Sequence, residues 1–171
     1  MESSSVIIRN YVRETDLEEC RALMRELTAL MHEMYERPTL GGENPENDRD
    51  LETVDPGLLW VAVHSSKVIG LVGLLLRETM LGTNAEVEPI IVSREFRSKR
   101  IGERLLEKAV AEARARGARL VAVKPAARNI KTIQFFYKHG FTFVGDVELY
   151  MAISERSRKP GPRMFGFDFT M

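Results

Sequence analysis

Residues 92–102 read Val92-Ser93-Arg94-Glu95-Phe96-Arg97-Ser98-Lys99-Arg100-Ile101-Gly102, between the apolar run 88–92 and the helical run 103–116. A strand is therefore expected to end here and a helix to begin. The first N–H groups of a helix have no intrahelical partner, and the helix dipole adds roughly half a positive charge there. Gly102 lets a ligand approach the backbone closely, and three basic side chains precede it. The stretch predicts a pyrophosphate site; the alternative is an ordinary strand-to-helix turn with a solvated basic edge.

The same residues resemble a known signature, the acyl-CoA-binding pattern R/Q-x-x-G-x-G/A of the GNAT superfamily of N-acyltransferases. Arg97 falls on the leading Arg/Gln, and Gly102 falls on the last glycine. Ser98 and Lys99 occupy the two free positions, and Arg100 replaces the first glycine. The match therefore holds at the first and last positions that the pattern specifies.

A second resemblance lies downstream. Asn129 is followed by Phe136-Tyr137-Lys138-His139-Gly140-Phe141, at a spacing similar to that family's N…FY…GF segment. The two resemblances together span residues 87–151, and the order of strands and helices predicted before them is also similar. The chain thus resembles an acetyl-CoA-dependent GNAT N-acetyltransferase.

This resemblance implies a fold, a co-substrate and a reaction. The fold is α/β (α+β), a mixed, mostly antiparallel sheet of roughly six to seven strands flanked by about four helices. The reaction transfers an acetyl group from acetyl-CoA to a primary amine of a small molecule or peptide. A catalytically silent acyl-CoA-binding or dimerisation module is the alternative, which the departure at Arg100 favours. The implied cofactor-binding positions are Ile90, Ile91, Val92, Arg97, Ser98, Lys99, Arg100, Ile101, Gly102, Glu103 and Asn129.

Length and composition set the class of protein. With 171 residues, one domain is expected over residues 1–153, followed by a tail over 154–171. No apolar run approaches the roughly 20 residues that span a bilayer, and residues 1–5 carry no export signal, so a cytoplasmic location without membrane contact is expected. A net charge of zero argues against nucleic-acid binding. Cys20 is the only cysteine, and the histidines and carboxylates show no metal-ligand spacing, so no metal is predicted.

The N-terminal part predicts a strand over residues 6–13 and then a long amphipathic helix. Thr15-x-x-Glu18 is a capping-box pattern at its start. Cys20 lies on the apolar stripe, so packing is expected of it rather than nucleophilic chemistry. The methionines of the stripe either fill the core or line a pliable substrate pocket. The stripe consists of Leu17, Cys20, Leu23, Met24, Leu27, Leu30, Met31 and Met34.

Residues 36–55 predict a long loop, because prolines and glycines interrupt any periodicity. Its charge is lopsided, with seven carboxylates against two arginines. Either the loop is simply solvated, or its acidic rim attracts a cationic amine acceptor. The carboxylates are Glu36, Glu43, Glu46, Asp48, Asp50, Glu52 and Asp55.

Two apolar runs, 58–64 and 68–76, flank the turn 65–67 and predict a β-hairpin that is covered on both faces. A third antiparallel strand, 85–92, is expected after a turn at 82–84. Pro89 donates no ladder hydrogen bond, so this strand is expected to bulge or lose pairing there. In the family that the strand resembles, such a break frees backbone groups for the pantetheine arm, a role that falls on Ile90, Ile91 and Val92.

The C-terminal half predicts a βαβ unit and a second, shorter helix. The helix over 103–116 ends at Gly117 and leads to a strand over 119–123, parallel to the strand before the helix. Asn129 can cap a helix over 130–138 that stops at Gly140. Residues 141–144 and 147–153 predict a final hairpin. The longer helix carries the apolar stripe Leu105, Leu106, Ala109, Val110 and Ala113.

The tail differs from the compact pattern before it. Pro160-Gly161-Pro162 is expected to break regular structure, and Phe165, Phe167 and Phe169 alternate as in a strand. Three phenylalanines rarely remain in water. They either add an edge strand to the sheet or pack on a second subunit as a homodimer contact.

The resemblance also assigns catalytic roles. Acyl transfer to an amine needs a proton for the departing thiolate and a group that takes the proton of the amine. Tyr137 matches the family's tyrosine general acid, and a phenol is protonated near neutral pH. Glu86 and Glu88 project from the strand that enters the site, and Glu88, nearer the break, is the expected proton acceptor, directly or through water. The alternatives are that Tyr137 only packs beside its neighbouring phenylalanines and that Glu88 is an ordinary exposed carboxylate.

Overall fold

The computed structural model describes residues 5–35, 51, 54–145, 147–151, 153 and 158–171. The strands are β1 (Ile7–Asn10), β2 (Leu59–His64), β3 (Lys67–Thr79), β4 (Gly82–Val92), β5 (Val121–Ala122), β6 (Pro160–Met164) and β7 (Phe167–Thr170). The α-helices in the described part of the chain are α1 (Arg13–Met34), α2 (Ile101–Ala115) and α3 (Ile130–Lys138). β1 to β5 form one sheet in chain order, antiparallel except where β5 joins β4 in parallel, and β6 pairs only with β7. The predicted α/β (α+β) class is confirmed, with the strands divided between two sheets.

The chain divides into two compact units. The first comprises Met1–Leu30 and Thr39–Val123, and the second comprises Met31–Pro38 and Lys124–Met171. The five-stranded sheet and α2 belong to the first unit, whereas α3 and the β6–β7 hairpin belong to the second. The boundary expected between residues 153 and 154 stays a prediction.

β2 and β3 form the centre of the first unit's core. Both strands are buried over nearly all of their apolar residues, and Trp60 and Leu71 are at most 1% exposed. This confirms the predicted hairpin with two covered faces. Its turn has positive φ at both Ser65 and Ser66 (49° and 65°), as a two-residue type I′ turn requires.

α2 packs on this sheet through the predicted apolar stripe. Leu105 and Ala109 are fully buried, and a Cβ placed on Gly70 would lie 3.0 Å from Leu105 Cδ1, so helix and sheet are in close contact. The helix ends as predicted at Gly117, whose φ is +72°. The N–H of Gly117 donates to Arg114 O, and that of Ala118 donates to Ala113 O, the two hydrogen bonds of a Schellman motif.

β4 contains the predicted bulge. Val72 pairs with Ile90 and Leu74 pairs with Val87, so Gly73 alone faces Glu88 and Pro89. A Cβ on Gly73 would lie 2.5 Å from the backbone oxygen of Glu88 and 3.1 Å from Pro89 Cδ. Only glycine therefore fits this position without displacement of β4.

The N-terminal prediction needs two corrections. The first strand is shorter than residues 6–13, and α1 already begins at Arg13, so Thr15 lies within the helix and does not cap it. The capping-box prediction was wrong because the neighbouring Asp16 serves that end. Its carboxylate is 2% exposed and accepts hydrogen bonds from the N–H of Val12 (2.8 Å) and from Arg9 Nη1 and Nη2 (2.6 and 2.8 Å).

Cys20 is a packing residue, as expected. It is 0% exposed, and burial raises the pKa of its thiol to about 12. Leu23 and Met24 of the same stripe are also buried. A thiol in this environment stays protonated at neutral pH and has little nucleophilic character.

The C-terminal predictions are only partly confirmed. Residues 141–145 and 147–151 are neither helix nor strand, so the hairpin predicted over 141–144 and 147–153 is absent from them. The alternation of Phe167 and Phe169 does mark a strand, but β7 pairs with β6 and not with the larger sheet. Pro160-Gly161-Pro162 lies within β6, where the register shifts between Pro160 and Arg163 because prolines cannot complete a regular ladder.

Two further predictions concern the acidic loop and membrane-spanning segments. The acidic loop predicted over 36–55 lies outside them except for residues 51, 54 and 55. Among the helices of the described residues, none has the length and apolarity to cross a membrane.

The Asp16 pair should make folding stability depend on pH. Hydrogen bonding from Arg9 lowers the pKa of Asp16, so its stabilisation is present at neutral pH and is lost as pH falls through the folded-state pKa. Asp16→Asn should reduce the free energy of unfolding by about 2 kcal/mol at pH 7, because a bidentate charged pair is lost. Urea denaturation measures the free energy of unfolding of the unmodified chain and of Asp16→Asn. The difference between the two should be constant above about pH 5 and should narrow below about pH 4. Glu18→Gln, which breaks an exposed pair with Arg21, should change stability by less than about 0.5 kcal/mol. A difference in the free energy of unfolding that stays unchanged down to about pH 2 would contradict this explanation.

The bulge can be tested at Gly73. Gly73→Ala should destabilise the fold by about 1–3 kcal/mol, because the added methyl group overlaps the Glu88 carbonyl. Gly145→Ala is the matched control, since a Cβ there meets nothing within 4 Å, and it should leave the midpoint of thermal unfolding nearly unchanged. Equal unfolding midpoints for the two variants would show that the bulge tolerates a side chain.

Candidate functional site

The chain leaves β4 at Val92 and enters α2 at Ile101, which confirms the predicted strand-to-helix junction. A short 3-10 turn, Arg94–Phe96, lies between them, preceded by Ser93 as an N-cap without a side-chain hydrogen bond. We call residues 93–100 the junction loop. Gly102 and Glu103 lie in the first turn of α2, whose N–H groups have no acceptor within the helix.

The end of the junction loop has alternating backbone handedness. Ser98 and Arg100 have φ of 66° and 59°, whereas Lys99 has a negative φ and Ile101 is helical. Where right- and left-handed residues alternate in a turn, successive N–H groups can point toward one side and form a concavity that binds anions. Arg100, at the position where the signature has a glycine, takes the left-handed conformation that glycine adopts most easily. The replacement therefore preserves a glycine-like backbone shape.

The three cations of the signature have different environments. Arg97 Nε donates to Val92 O (3.0 Å), and its Nη2 donates to Glu26 Oε1 (3.0 Å), so this guanidinium holds the junction loop. Lys99 Nζ lies 4.9 Å from the centre of the Phe96 ring. The side chain of Arg100 is 86% exposed, and its Nε lies 3.8 Å from Glu103 Oε2.

Sequence reasoning missed the role of two carboxylates on α1. Glu26 Oε1 also accepts from the N–H of Arg94 (2.8 Å), and Glu19 Oε2 accepts from the N–H of Val68 (2.9 Å). Their separation of seven residues places both on one face of the helix, which is the only signal available in the sequence. The N–H groups that donate to them, those of Val68 and Arg94, are too distant in the sequence to be found by spacing.

The other part of the first unit's site is the edge of β4. β5 pairs with β4 only at Ala85–Val121 and Glu86–Ala122. Among the described residues, the segment from Val87 to Val92 has β3 on one side and no strand on the other. Ile90, Ile91 and Val92, the predicted pantetheine contacts, lie in this segment beyond the bulge.

The two candidate proton acceptors on β4 lie in different environments. Glu86 is 3% exposed, and its Oε2 lies 3.1 Å from Nη2 of Arg77. Glu88 is exposed and lies in the bulge itself. Regular alternation would have given both carboxylates the same surroundings, but the extra residue of the bulge changes them.

In the second unit, α3 forms as the sequence predicts. Asn129 Oδ1 accepts from the N–H of Thr132 (3.1 Å), and Gly140, with φ of +94°, ends the helix. The N–H groups of Gly140 and Phe141 donate to Tyr137 O and Phe136 O, a second Schellman motif, and the rings of Phe136 and Phe141 are 5.4 Å apart. The N…FY…GF spacing is thus the spacing of a helix with both caps.

Tyr137 differs from its neighbour in exposure. Phe136 is 4% exposed, whereas Tyr137 is 65% exposed. The alternative that Tyr137 is held mainly by packing therefore loses support. Its phenol is accessible to a reactant.

Arg128, which the sequence analysis did not single out, holds the residue before the α3 cap. Its Nη1 donates to Met34 O (3.0 Å), its Nη2 donates to Met171 O (2.7 Å), and its guanidinium lies 4.9 Å from the Tyr35 ring centre. These contacts fix the backbone that leads into Asn129. No sequence pattern predicts these contacts, because each partner of Arg128 is a main-chain oxygen or a ring from a remote segment.

Comparison with known proteins places this geometry in a family. The model of the acetyltransferase (GNAT) family matches residues 24–141. No curated protein matches the chain. Among solved structures, an aminoglycoside N-acetyltransferase, AAC(6')-Iy, in complex with CoA is similar with a TM-score of 0.68 and 18% identity, over 90% of this chain and 98% of that one.

Two further structures have the same fold. Glucosamine-6-phosphate N-acetyltransferase from Arabidopsis thaliana has a TM-score of 0.62 and 16% identity, over 88% of this chain and 99% of that one. A putative acetyl transferase from Pyrococcus furiosus has a TM-score of 0.65 and 19% identity, over 86% of this chain and 100% of that one. Identities this low show a common fold alone. The family model, by contrast, covers more than half of the chain, and the chain therefore belongs to the acetyltransferase (GNAT) family.

Proposed function

We propose that this chain transfers the acetyl group of acetyl-CoA to the primary amine of a small molecule or peptide. The observation that carries the proposal is the alternating backbone of Ser98 to Ile101 at the N-terminus of α2, inside the family's acyl-CoA signature. This arrangement suits a diphosphate, because several N–H groups and a helix dipole act on one anion together. A solvated basic turn, the alternative function of this stretch, does not need this arrangement of the backbone.

The co-substrate would be held by two parts of the first unit. The N–H groups of Ser98 to Glu103 would bind the diphosphate, with Lys99 and Arg100 adding charge. Ile90, Ile91 and Val92 would offer main-chain groups to the pantetheine arm along the free edge of β4. Arg97 would contribute through the shape of the junction loop, since its guanidinium is engaged by Val92 and Glu26. Asn129 would contribute by capping α3.

Acetyl-CoA supplies a thioester that is already activated for attack by an amine. The chain must then move two protons. Glu88 would accept a proton from the incoming ammonium, directly or through water, which its exposure permits. Tyr137 would donate its hydroxyl proton to the departing thiolate, and its 65% exposure supports that role. The C–N bond forms, the C–S bond breaks, and the products are an amide and CoA.

The acceptor is proposed only as a class. The similar structures named above act, by their names, on glucosamine-6-phosphate and on aminoglycosides, which are small-molecule amines. Within that class we propose a cationic amine, because the acidic loop over 36–55 would attract it. Because that loop lies outside the described residues except at 51, 54 and 55, its role stays a prediction.

A catalytically silent acyl-CoA-binding or dimerisation module is the competing function. The replacement of the signature glycine by Arg100 favours it, but Arg100 keeps a glycine-like φ of 59°. Thiol release from acetyl-CoA distinguishes the two functions. It should be measured against polyamines, amino acids, amino-sugar phosphates, aminoglycosides and peptide N-termini.

Binding of the co-substrate can be tested by thermal unfolding. Acetyl-CoA should raise the Tm of the chain by an increment that grows with ligand concentration. Gly102→Asp should abolish this increment, because it places bulk and negative charge in the first turn of α2. The variant should still fold, since a carboxylate near a helix N-terminus is favourable. An unmodified chain whose Tm does not respond to acetyl-CoA or CoA would contradict the proposed function.

Arg100 offers a matched pair of controls for the same measurement. Arg100→Gly removes an exposed cation and keeps the left-handed backbone without steric cost, whereas Arg100→Ala removes the cation and keeps the strain. Both variants should retain the Tm increment with a weaker dependence on salt. The glycine variant should be more stable than the alanine variant by about 1 kcal/mol.

The catalytic proposal depends on Tyr137. Tyr137→Phe keeps the ring and removes the proton donor, so turnover should fall by about 10²-fold while the Kd for CoA stays unchanged. Steady-state kinetics with a confirmed acceptor and calorimetry with CoA measure the two quantities. Tyr150→Phe is the control, because Tyr150 is another exposed tyrosine of the second unit and its loss should not alter turnover. Equal turnover in Tyr137→Phe and the unmodified chain would remove Tyr137 from the mechanism.

A further inference from the structure

Glu26 of α1 contacts two separate groups of the junction loop. Its Oε1 accepts from the N–H of Arg94 at 2.8 Å and from Arg97 Nη2 at 3.0 Å. Arg97 Nε in turn donates to Val92 O at 3.0 Å. One carboxylate and one guanidinium thus connect α1, the end of β4 and the middle of the loop.

The backbone gives a reason for this arrangement. Arg94 opens a 3-10 turn, so its N–H has no acceptor within the turn, and the N-cap Ser93 makes no side-chain hydrogen bond. Glu26 supplies an acceptor there from a different element. The residue that follows Arg97 is Ser98, the first of the left-handed residues, and three residues later α2 begins. The position of Arg97 therefore bears directly on where the N–H groups of Ser98 to Ile101 lie.

We propose that Glu26 is a positioning residue for acetyl-CoA: it holds Arg97 so that the N–H groups of Ser98 to Ile101 converge on the diphosphate. The proposal rests on the proposed function. It also assigns the Arg97 guanidinium a structural contact with Glu26 and Val92, so that this side chain does not itself bind the diphosphate.

The solvent exposure of Glu26 and Arg97 distinguishes a positioning role from a contribution to the stability of the whole fold. The side chains of Arg97 and Glu26 are 40% and 32% exposed, so solvent screens their attraction and its loss changes global unfolding little. The position of the junction loop depends on these contacts more directly, because they join the loop to α1, an element outside it. Loss of Glu26 should therefore act on the affinity for CoA and hardly on the Tm of the free chain.

The test measures Kd for CoA by isothermal titration calorimetry in a series of variants. Glu26→Ala, which loses both hydrogen bonds, should raise Kd about tenfold. Glu26→Gln can still accept from the N–H of Arg94 but loses the charge opposite Arg97, so its Kd should lie between those of the unmodified chain and the alanine variant. Glu18→Gln removes the same charge from another arginine pair on α1 and should leave Kd unchanged. The Tm of all three free variants should stay within about 2 °C of the unmodified chain.

Arg97→Gln separates positioning from direct binding. Under the proposal, the double variant Glu26→Gln/Arg97→Gln binds CoA no more weakly than the weaker single variant, because both changes break one interaction. The salt dependence of Kd in Arg97→Gln should match that of the unmodified chain. Additive losses in the double variant, or a reduced salt dependence in Arg97→Gln, would mean that the guanidinium binds the diphosphate and would overturn the proposal.

Three negative outcomes can be distinguished. An unmodified chain that binds no CoA overturns the proposed function and this inference with it. A chain that binds CoA, with equal Kd in Glu26→Ala and Glu18→Gln, overturns the role of Glu26 alone. A large fall in the free chain's Tm in Glu26→Ala, with Kd unchanged at a temperature where it is folded, would assign Glu26 to stability.

Discussion

The pairing of β4 with β3 is the constraint on which the first unit's site depends. Both strands are hydrogen-bonded to one another along their lengths, and the register shifts once, where Gly73 faces Glu88 and Pro89. That shift sets the direction in which β4 continues through Ile90 to Val92. Because β5 accompanies β4 only to Glu86, the segment beyond the shift keeps an open edge among the described residues. The junction loop begins where that segment ends, at Val92.

Carboxylates of α1 accept hydrogen bonds from N–H groups near the ends of the sheet's strands. Where a strand ends, its N–H groups lose their ladder partners, and buried or half-buried N–H groups need acceptors. Glu19 provides one for Val68 at the start of β3, and Glu26 provides one for Arg94 after the end of β4. Asp16 serves the N-terminus of the helix itself and binds Arg9. Charged side chains of one helix thus hold backbone segments that are distant in sequence. Where solvent reaches an ion pair, as at Glu26 and Arg97, the pair adds little to the free energy of unfolding.

In the second unit, local hydrogen bonds close both ends of α3. Asn129 satisfies an N–H group at one end, and the Schellman motif at Gly140 satisfies carbonyls at the other. Phe136 is the buried residue of this helix, and its neighbour Tyr137 is mostly exposed. A short helix with two caps and one buried aromatic residue can present an exposed phenol without cost to packing. The β6–β7 hairpin, by contrast, keeps Phe165 and Phe167 exposed at 73% and 68%.

The sequence by itself determined the elements whose signals are local. Hydrophobic periodicity predicts β2, β3 and α2, glycine and asparagine mark the ends of α2 and α3, and Pro89 predicts the bulge, because each of these depends on neighbours within a few residues. The family resemblance rests on the same kind of signal. Only the tertiary structure decided the partners of Arg97, the different surroundings of Glu86 and Glu88, and the pairing of β7 with β6. Those outcomes depend on which remote segment supplies an acceptor, a counter-charge or a strand edge, and no local pattern encodes that choice.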